Sequence, residues 1–429
     1  MLIPNSAERR PDATPVATAD LPALRRRTSA VLIASQILGG LGTATGIALA
    51  AVLAKRVSGD EALSGLASTA SVAGSAVLAV PLAALMTARG RRAGLVLAYL
   101  IGASGAVVTV VAAVAGIFPL LLLGLAGFGA ASTANLQARY AAADLAEPAH
   151  RARAISNVVW ATTIGAVAGP NIAAPAGRSV SGLGIPAEAG PFVWATGVFL
   201  IAAVVVQLLL RPDPLLAARA LAAEAEQSAE GRSIRAGLAA VAASPRARLA
   251  LVTVAVAHTV MVSVMSMTPV DLGHHGASID LIGLVISGHI AGMYAFSPVM
   301  GYLSDRLGRF AVIGLAVGLL SCAALLAGTA GGSHGQIAAG LFLLGLGWSA
   351  ALVSGSALLT DSVPQAARPA AQGLSDLTTS AAAGVGSTVA GLVVATASYA
   401  WLNLAAASLL LPLAGLALFT PRPKDVKKP

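Results

Sequence analysis

Three side chains that can carry a proton lie inside long apolar stretches of the sequence: His258, His289 and Asp376. An ionisable group inside a membrane-spanning segment is unfavourable, so such a residue is a functional candidate by default. Imidazole changes charge near neutral pH, which makes both histidines candidates for proton coupling. Either histidine is also compatible with a neutral, hydrogen-bonded role in helix packing. Asp376 is predicted in the first turn of a helix, where the helix dipole alone would stabilise it, and it ranks second as a proton carrier.

Other residues have the chemistry and spacing of a cavity wall. His258, Met261 and Met265 recur at i, i+3 and i+7, which places them on one helix face. Thioethers adapt to varied apolar shapes, so this face suits a greasy or cationic ligand. The further cavity candidates are Gln36, Asn135, Arg139 and Trp348. Arg139 is predicted near the end of its helix, where it either snorkels to the lipid headgroups or acts as a cation at an inner gate.

Long apolar segments must position these residues. Hydrophobic residues make up 57% of the chain and charged residues 10%, against about 25% charged in soluble domains. A membrane-spanning helix needs about 20 mainly apolar residues. Twelve stretches qualify: 29–54, 62–87, 94–116, 119–143, 154–176, 191–210, 249–270, 279–301, 310–330, 336–360, 372–397 and 400–420. The sequence therefore predicts an all-α membrane protein with twelve transmembrane helices.

The distribution of basic residues predicts the orientation. With twelve spans and the N-terminus inside, all but three of the 27 Arg and Lys fall on the cytoplasmic side; the exceptions are Lys55, Arg56 and Arg178. This bias is typical of membrane proteins and places both termini in the cytoplasm. It also accounts for the net charge of +9 without a nucleic-acid partner, because the basic residues form no stripe.

The chain divides into two halves joined by a polar linker. The predicted parts are a disordered cytoplasmic tail (1–28), a six-helix bundle (29–210), a cytoplasmic linker (211–248), a second six-helix bundle (249–420) and a short tail (421–429). The first apolar run is about twice the length of the apolar core of a signal peptide, so it is interpreted as an uncleaved first helix.

An internal repeat supports this division. Gly90-Arg91 recurs as Gly308-Arg309 at an offset of 218, and Asp144 recurs as Asp361 at an offset of 217. Repeated halves usually place a transport site between them, near the middle of the bilayer. The sequence thus predicts two pseudo-symmetric six-helix bundles.

The sharpest motif lies between predicted helices 8 and 9 and reads Gly301-Tyr302-Leu303-Ser304-Asp305-Arg306-Leu307-Gly308-Arg309. It resembles the loop signature G-x-L-[SA]-D-R-x-G-R-R of the major facilitator superfamily and departs from it only at Phe310. The resemblance implies that this charged loop latches the two halves in one orientation and releases them when they rock. The alternative is that the loop is basic only because positive residues keep it on the cytoplasmic side of the membrane.

The motif also leads to specific contact predictions. Asp305 is expected near the N-terminus of predicted helix 11, where its carboxylate would be stabilised by the helix dipole. Arg306 or Arg309 is expected to reach Asp361. In the first half the copy has decayed, since Thr87 replaces the carboxylate. There the latch is expected to use other partners, with Gly90 in the turn and Arg91 paired with Asp144.

Predicted helix 5 carries Gly165, Gly169 and Pro170, which resembles the motif G-x-x-x-G-P-x-x-G-G of drug-efflux members of the same family. Small residues four apart let helices approach closely, and proline bends a helix. The helix is therefore expected to pack on a partner from the other half and seal the path. A purely structural role, without bearing on export, remains the alternative.

The predicted function is secondary active transport. The chain contains no Gly-Lys pair and hence no P-loop for ATP, and its single cysteine excludes a cysteine metal cluster. No cofactor or metal is expected. The resemblance implies proton-coupled efflux of a hydrophobic or cationic compound from the bacterial cytoplasmic (inner) membrane, by a monomer in the lipid bilayer. However, Leu123 stands where efflux members usually carry a relay arginine. The alternatives are a proton-coupled importer of a small metabolite and, from another class, a non-transporting sensor or a membrane enzyme.

Overall fold

A computed structural model describes residues 21–60, 63, 65–223 and 234–421. Within these ranges the chain is helical and contains no strand. The first half comprises α1 (Leu21–Ser58), α2 (Gly65–Arg89), α3 (Arg91–Ala115), α4 (Phe118–Asp144), α5 (Arg151–Ser179) and α6 (Gly190–Leu209). The linker contributes α7 (Pro214–Ala223) and α8 (Ile234–Ala243). The second half comprises α9 (Pro245–His274), α10 (Ile279–Tyr294), α11 (Ser297–Leu307), α12 (Arg309–Gly328), α13 (His334–Ser362), α14 (Arg368–Thr396) and α15 (Tyr399–Phe419).

Eleven helical stretches of the described chain are long and apolar enough to cross a membrane. The remaining predicted segment, the fifth (154–176), corresponds to α5, which is 29 residues long but more polar than the others. The eighth predicted segment is split into α10 and α11, because Pro298 follows the break and cannot continue a helix hydrogen-bond pattern. The described fold is an all-α, multi-pass membrane protein, and its arrangement is consistent with two six-helix bundles.

Each half has its own hydrophobic core. In the first half the core contains the ring cluster Phe128, Phe192 and Phe199, whose neighbouring centroids lie 5.3 and 5.4 Å apart. The core of the second half also takes in Ala152 and Ile155 of α5. The two bundles are therefore packed together at the end where α5 begins.

Matched glycine turns mark this end of the bundle. Gly90 precedes α3 with φ 91° and ψ 170°, and Gly308 precedes α12 with φ 92° and ψ 155°. Such positive φ values favour glycine, so the repeated Gly-Arg pair encodes the same tight turn in both halves. Because Arg91, Arg151 and Arg309 lie here, we call it the basic end.

The first helix begins earlier than the sequence suggested. Residues 21–28, assigned to a disordered tail, form the first two turns of α1, while residues 1–20 lie outside the described part. Arg25 donates to the carbonyl of Leu145 at 2.8 Å and to the carboxylate of Glu147. The hydrogen bond from Arg25 lowers the pKa of Glu147. These contacts fix the start of α1 to the α4–α5 connection, and the tail prediction was wrong for this segment.

Candidate functional site

A cavity of about 310 Å³ lies between the two halves. The first half contributes Gln36 of α1 together with Asn135 and Arg139 of α4, while the second half contributes His258 of α9 and Trp348 of α13. The cavity thus brings together residues that the sequence singled out in four separate segments. Tyr294 of α10 also lines it and was missed, because a lone tyrosine near a helix end gives no periodic signal.

The wall from the second half is aromatic. The Tyr294 and Trp348 rings meet edge to face with centroids 5.6 Å apart, and the His258 and Trp348 centroids are 6.0 Å apart. Trp348 Nε1 donates to His258 Nδ1 at 2.9 Å. An indole N–H can only donate, so Nδ1 is unprotonated and the neutral imidazole carries its proton on Nε2. In this geometry the neutral imidazole of His258 orients the Trp348 ring.

The wall from the first half is polar. Gln36 Nε2 donates to Thr162 at 2.8 Å, but its carbonyl oxygen is buried and has no hydrogen-bond partner among the described residues. Asn135 accepts a hydrogen bond from Tyr99 at 3.1 Å. Arg139 Nε is likewise buried without a partner in the described ranges. Two residues that line the cavity on this side, Gln36 and Arg139, therefore keep one acceptor and one donor without a partner among the described residues.

A buried ion pair closes the floor of the cavity toward the basic end. Arg139 donates to the carboxylate of Asp376 at 2.8 Å, and both side chains are buried, at 3% and 0% exposure. Gln137 donates to the other carboxylate oxygen of Asp376 at 2.8 Å. Since α14 begins at Arg368, Asp376 lies in its third turn, so the helix dipole does not account for it. Arg139 does not snorkel to the surface, because its guanidinium points across to the second half.

The floor continues into a second buried pair. Arg91 binds Asp144 at 2.7 Å, as the sequence predicted, and also donates to Gln137 at 2.9 Å. Arg91 additionally bonds to Gln372 of α14, which belongs to the other half. Asp376, Gln137, Arg91 and Asp144 therefore form one continuous polar chain between the halves.

An ionic latch links the halves at the surface of the basic end. Arg151 of the first half binds Asp361 of the second at 2.5 Å, and Arg309 binds both Asp361 at 3.2 Å and Asp305 at 2.6 Å. Asp305 is 2% exposed and binds Arg153 of the first half at 3.1 Å. The residues Arg151, Arg153, Asp305, Arg309 and Asp361 are called the latch below.

The position of Asp305 differs from the prediction. Its carboxylate accepts the backbone N–H groups of Ala152 and Arg153, each at 3.1 Å, and so caps the N-terminus of α5 rather than that of α14. A carboxylate at a helix N-terminus pairs with otherwise unsatisfied donors. Of the two arginines expected to reach Asp361, Arg309 does so at 3.2 Å, whereas Arg306 donates to Tyr302 at 2.7 Å. Asp305 therefore joins one half to the other.

Close helix contacts at the basic end follow the repeat. A Cβ at Gly301 of α11 would lie 2.9 Å from the Ala152 carbonyl and closer still to Ser156 of α5. A Cβ at Gly373 of α14 would collide with Ala83 of α2. Residues 83 and 301 are offset by 218, and residues 156 and 373 by 217, so the two junctions are equivalent. Each junction uses one glycine, contributed by α11 in one case and by α14 in the other.

The glycines of the predicted efflux motif make a different contact. A Cβ at Gly165 would lie 2.5 Å from Gly40, and one at Gly169 would lie 2.5 Å from Ala44, both in α1 of the same half. The expected partner from the other half was therefore wrong for these positions. The side chain of Pro170 lies outside the described part.

Three other candidates lie away from the cavity wall. His289 is buried, with Nδ1 2.8 Å from the Leu341 carbonyl and Nε2 unpartnered within the described chain. Met261 belongs to the hydrophobic core of the second half, and Met265 packs against that core. Of the predicted face, His258 therefore lines the cavity, whereas Met261 and Met265 belong to the packing of the second half.

The linker supplies a carboxylate where the first-half motif lost one. Asp213, next to α7, is mostly buried and lies 2.5 Å from the position a Cβ would take on Gly90. It accepts the backbone N–H of Arg92 at 2.8 Å and those of Leu215 and Leu216 at 3.0 and 3.1 Å. The single carboxylate of Asp213 therefore both secures the α2–α3 turn and caps the N-terminus of α7. The decay of the motif at Thr87 was the only sequence signal for it.

Replacing Asp213 with Ala is expected to lower the apparent melting temperature of the purified protein by several degrees. The change removes a buried cap and the bond to Arg92, together worth about 1–2 kcal/mol. Thermal unfolding in detergent measures this. Glu188→Ala serves as the control, because Glu188 pairs with the exposed Arg56 at the opposite end and its loss should shift the melting temperature little. Equal shifts for the two variants would contradict the assigned role.

The chain resembles known proteins along most of its length. A family model described as Major Facilitator Superfamily matches residues 31–273 and 250–429. The chain is 39% identical over 385 residues to a Bacillus subtilis (strain 168) protein described as uncharacterized MFS-type transporter YdeG, covering 89% of both chains. It is 30% identical over 353 residues to the riboflavin transporter RfnT of Brucella anthropi, covering 82% of this chain and 85% of that one.

Solved structures show the same fold. The crystal structure of the transporter FucP in the outward conformation superposes with a TM-score of 0.73 at 16% identity, covering 92% of this chain and 99% of that one. At this level of identity the likeness concerns the fold alone.

Proposed function

We propose that the chain, which belongs to the Major Facilitator Superfamily of small-molecule transporters, exports its substrate through the central cavity in exchange for protons. The two halves would rock about the cavity and expose it alternately to the two sides of the membrane. The basic end is proposed to face the cytoplasm, with both termini inside, because positive residues favour that side. A monomer in the bacterial inner membrane suffices for this cycle.

The observation that carries the proposal is the pair Arg139–Asp376 at the cavity floor. It bridges the two halves, both side chains are buried, and it borders the cavity. Removing the charge of one member of a buried pair leaves the other uncompensated, which costs about 3–5 kcal/mol. Proton binding to Asp376 would therefore drive Arg139 toward water and favour opening of the basic end. This links a proton to the change of access.

Polar contacts between the halves support a state closed at the basic end. The latch, the chain from Asp376 to Asp144 and the junctions at Gly301 and Gly373 all lie there. The residues of α14 that line the cavity, Ser380 and Ala383, follow Asp376 toward the opposite end of the helix. The cavity would thus be reached from the end opposite the basic one.

An uncharged substrate is favoured over a cationic one. The carboxylate nearest the cavity, Asp376, is already paired with Arg139, and a cation would need an unpaired acidic partner in this buried place. His258 and His289 remain secondary proposals for proton coupling. The reserve hypothesis is import of a small metabolite, for which the similarity to a riboflavin transporter is the specific observation.

Flux into reconstituted vesicles tests this function. Vesicles with the purified protein are given neutral riboflavin outside or, in a parallel sample, cationic ethidium, which should accumulate less, under an imposed pH gradient of either sign. Export by proton exchange predicts accumulation when the interior is acidic, because protons leaving the vesicle drive substrate in. Import with protons predicts accumulation only when the interior is alkaline.

The matched control is the same vesicle preparation with the gradient collapsed by a protonophore. Accumulation that survives this treatment would contradict proton coupling. Binding without flux for a broad compound panel would instead favour a non-transporting sensor, and the transport proposal would fall.

A further inference from the structure

We infer that the cavity takes a flat, uncharged aromatic ring system whose edge carries a hydrogen-bond donor beside an acceptor, as in a fused lactam. This inference rests on the proposed transport through the same cavity and names the class of substrate. It follows from the contrast between the two walls: the second half offers ring faces, and the first half offers unpaired polar atoms.

The aromatic wall selects for flatness. Trp348 lines the cavity, and its only polar atom is already used, because Nε1 donates to His258 at 2.9 Å. It therefore offers its ring rather than a hydrogen bond. Tyr294 braces that ring edge to face at a centroid distance of 5.6 Å. A fixed aromatic surface pairs best with another ring in an offset or edge-to-face arrangement.

The polar wall selects for an edge with both a donor and an acceptor. Gln36 is 5% exposed, and its carbonyl oxygen, an acceptor, has no partner among the described residues. Arg139 is 3% exposed and keeps Nε, a donor, equally unpaired in the described chain. Asn135 accepts from Tyr99 with its oxygen, which leaves its amino group to donate. A buried polar atom without a hydrogen-bond partner is unfavourable. A ligand that donates to the unpaired acceptor and accepts from the unpaired donors therefore gains affinity.

The side-chain charges around the cavity already balance, which favours an uncharged ligand. The positive charge of Arg139 is matched by Asp376 at 2.8 Å. His258 is neutral while it accepts from Trp348. An anion or a cation entering this cavity would be transferred from water without a free counter-charge, which is strongly unfavourable. A neutral ligand avoids that penalty.

Four small probes separate these requirements on the wild-type protein. Quinolin-2-one has the flat ring and the N–H beside the C=O; its N-methyl derivative lacks the donor; N-methylquinolinium is flat and cationic; piperidin-2-one keeps the lactam without the aromatic ring. Binding is measured by titration calorimetry on purified protein without a pH gradient. We expect quinolin-2-one to bind about tenfold or more tightly than each of the others, as one lost buried hydrogen bond predicts.

Two variants localise the binding. Gln36→Leu removes the acceptor that meets the probe's N–H, so it should weaken quinolin-2-one about tenfold and leave its N-methyl derivative unchanged. Ser408→Ala, an exposed position of α15 outside the cavity lining, is the control and should change the binding of neither probe. The difference between the two probes on one variant cancels any general loss of folded protein.

Two outcomes overturn the inference: quinolin-2-one binds no better than N-methylquinolinium or piperidin-2-one, or Gln36→Leu weakens both quinolinones alike. Failure of the transport proposal would look different. Quinolin-2-one would then bind with the expected selectivity, but no compound would cross the vesicle membrane. Conversely, proton-driven flux of ethidium with no binding of quinolin-2-one would keep the transporter and discard this substrate class.

Discussion

Asp376→Asn is expected to reduce gradient-driven accumulation to the level of empty vesicles while substrate exchange between equal concentrations continues. The amide keeps the size of the carboxylate, and its single oxygen can still accept from either Arg139 or Gln137, which donate to separate carboxylate oxygens at 2.8 Å. It cannot take up a proton, so the proposed link between protonation and opening is lost. The measurement is substrate accumulation under an inside-acid gradient, compared with counterflow in the same vesicles.

Asp271→Asn is the matched control, because Asp271 lies near the end of α9 at the opposite end of the bundle and contacts His275. It should retain accumulation. His258→Gln and His289→Gln test the remaining candidates, and both should keep their dependence on the gradient. If Asp376→Asn still accumulates substrate and His289→Gln does not, coupling belongs to His289 and the role given to the floor pair is wrong.

Asp305→Asn is expected to slow transport about 10- to 100-fold with normal amounts of folded protein. The carboxylate binds Arg153 and Arg309 and two backbone N–H groups of α5. Losing its charge should remove about 2–3 kcal/mol from the state closed at the basic end, and each 1.4 kcal/mol is tenfold in population. Initial rates of flux measure the effect on the cycle.

A second measurement reports directly how often the basic end is open. Ser375, which is buried at the closed end beside Tyr140, is changed to Cys in a Cys322→Ser background and labelled with a water-soluble maleimide. Labelling should be faster when Asp305→Asn is added.

Arg306→Ala is the control within the same motif, since Arg306 contacts only Tyr302 among the described residues. It should leave both flux and labelling within about twofold, as expected of an exposed contact. A loss of transport as large as that of Asp305→Asn, or unchanged labelling in Asp305→Asn, would contradict the latch.

The two sites are physically connected. Asp376 contacts Gln137, Gln137 contacts Arg91, and Arg91 contacts Asp144 near the start of the α4–α5 connection. The latch residue Arg151 follows that connection. We therefore expect Asp376→Asn and Asp305→Asn combined to affect flux non-additively, because neighbouring sites in one network do not act independently.

Much of the fold was predicted from the sequence, because the signals are local. Apolar length and composition identified the helical segments, and the Gly90 and Gly308 turns follow from a backbone conformation that favours glycine. The superfamily membership, implied by the motif from Gly301 to Arg309, was confirmed. The pairing of Arg91 with Asp144 was also predicted correctly, because both residues belong to one half and recur in its copy.

What only the tertiary structure decided concerns contacts across the halves. The sequence by itself determined which residues are polar inside apolar helices and that the chain is doubled, since composition, periodicity and repeat offset are properties of the chain alone. It did not determine that Asp305 caps α5 or that Asp376 pairs with Arg139. These partners are brought together by how two similar bundles dock, and in a pseudo-symmetric molecule several pairings satisfy the same local pattern. Only the packed arrangement, in which each buried charge must find a counter-charge, selects one of them.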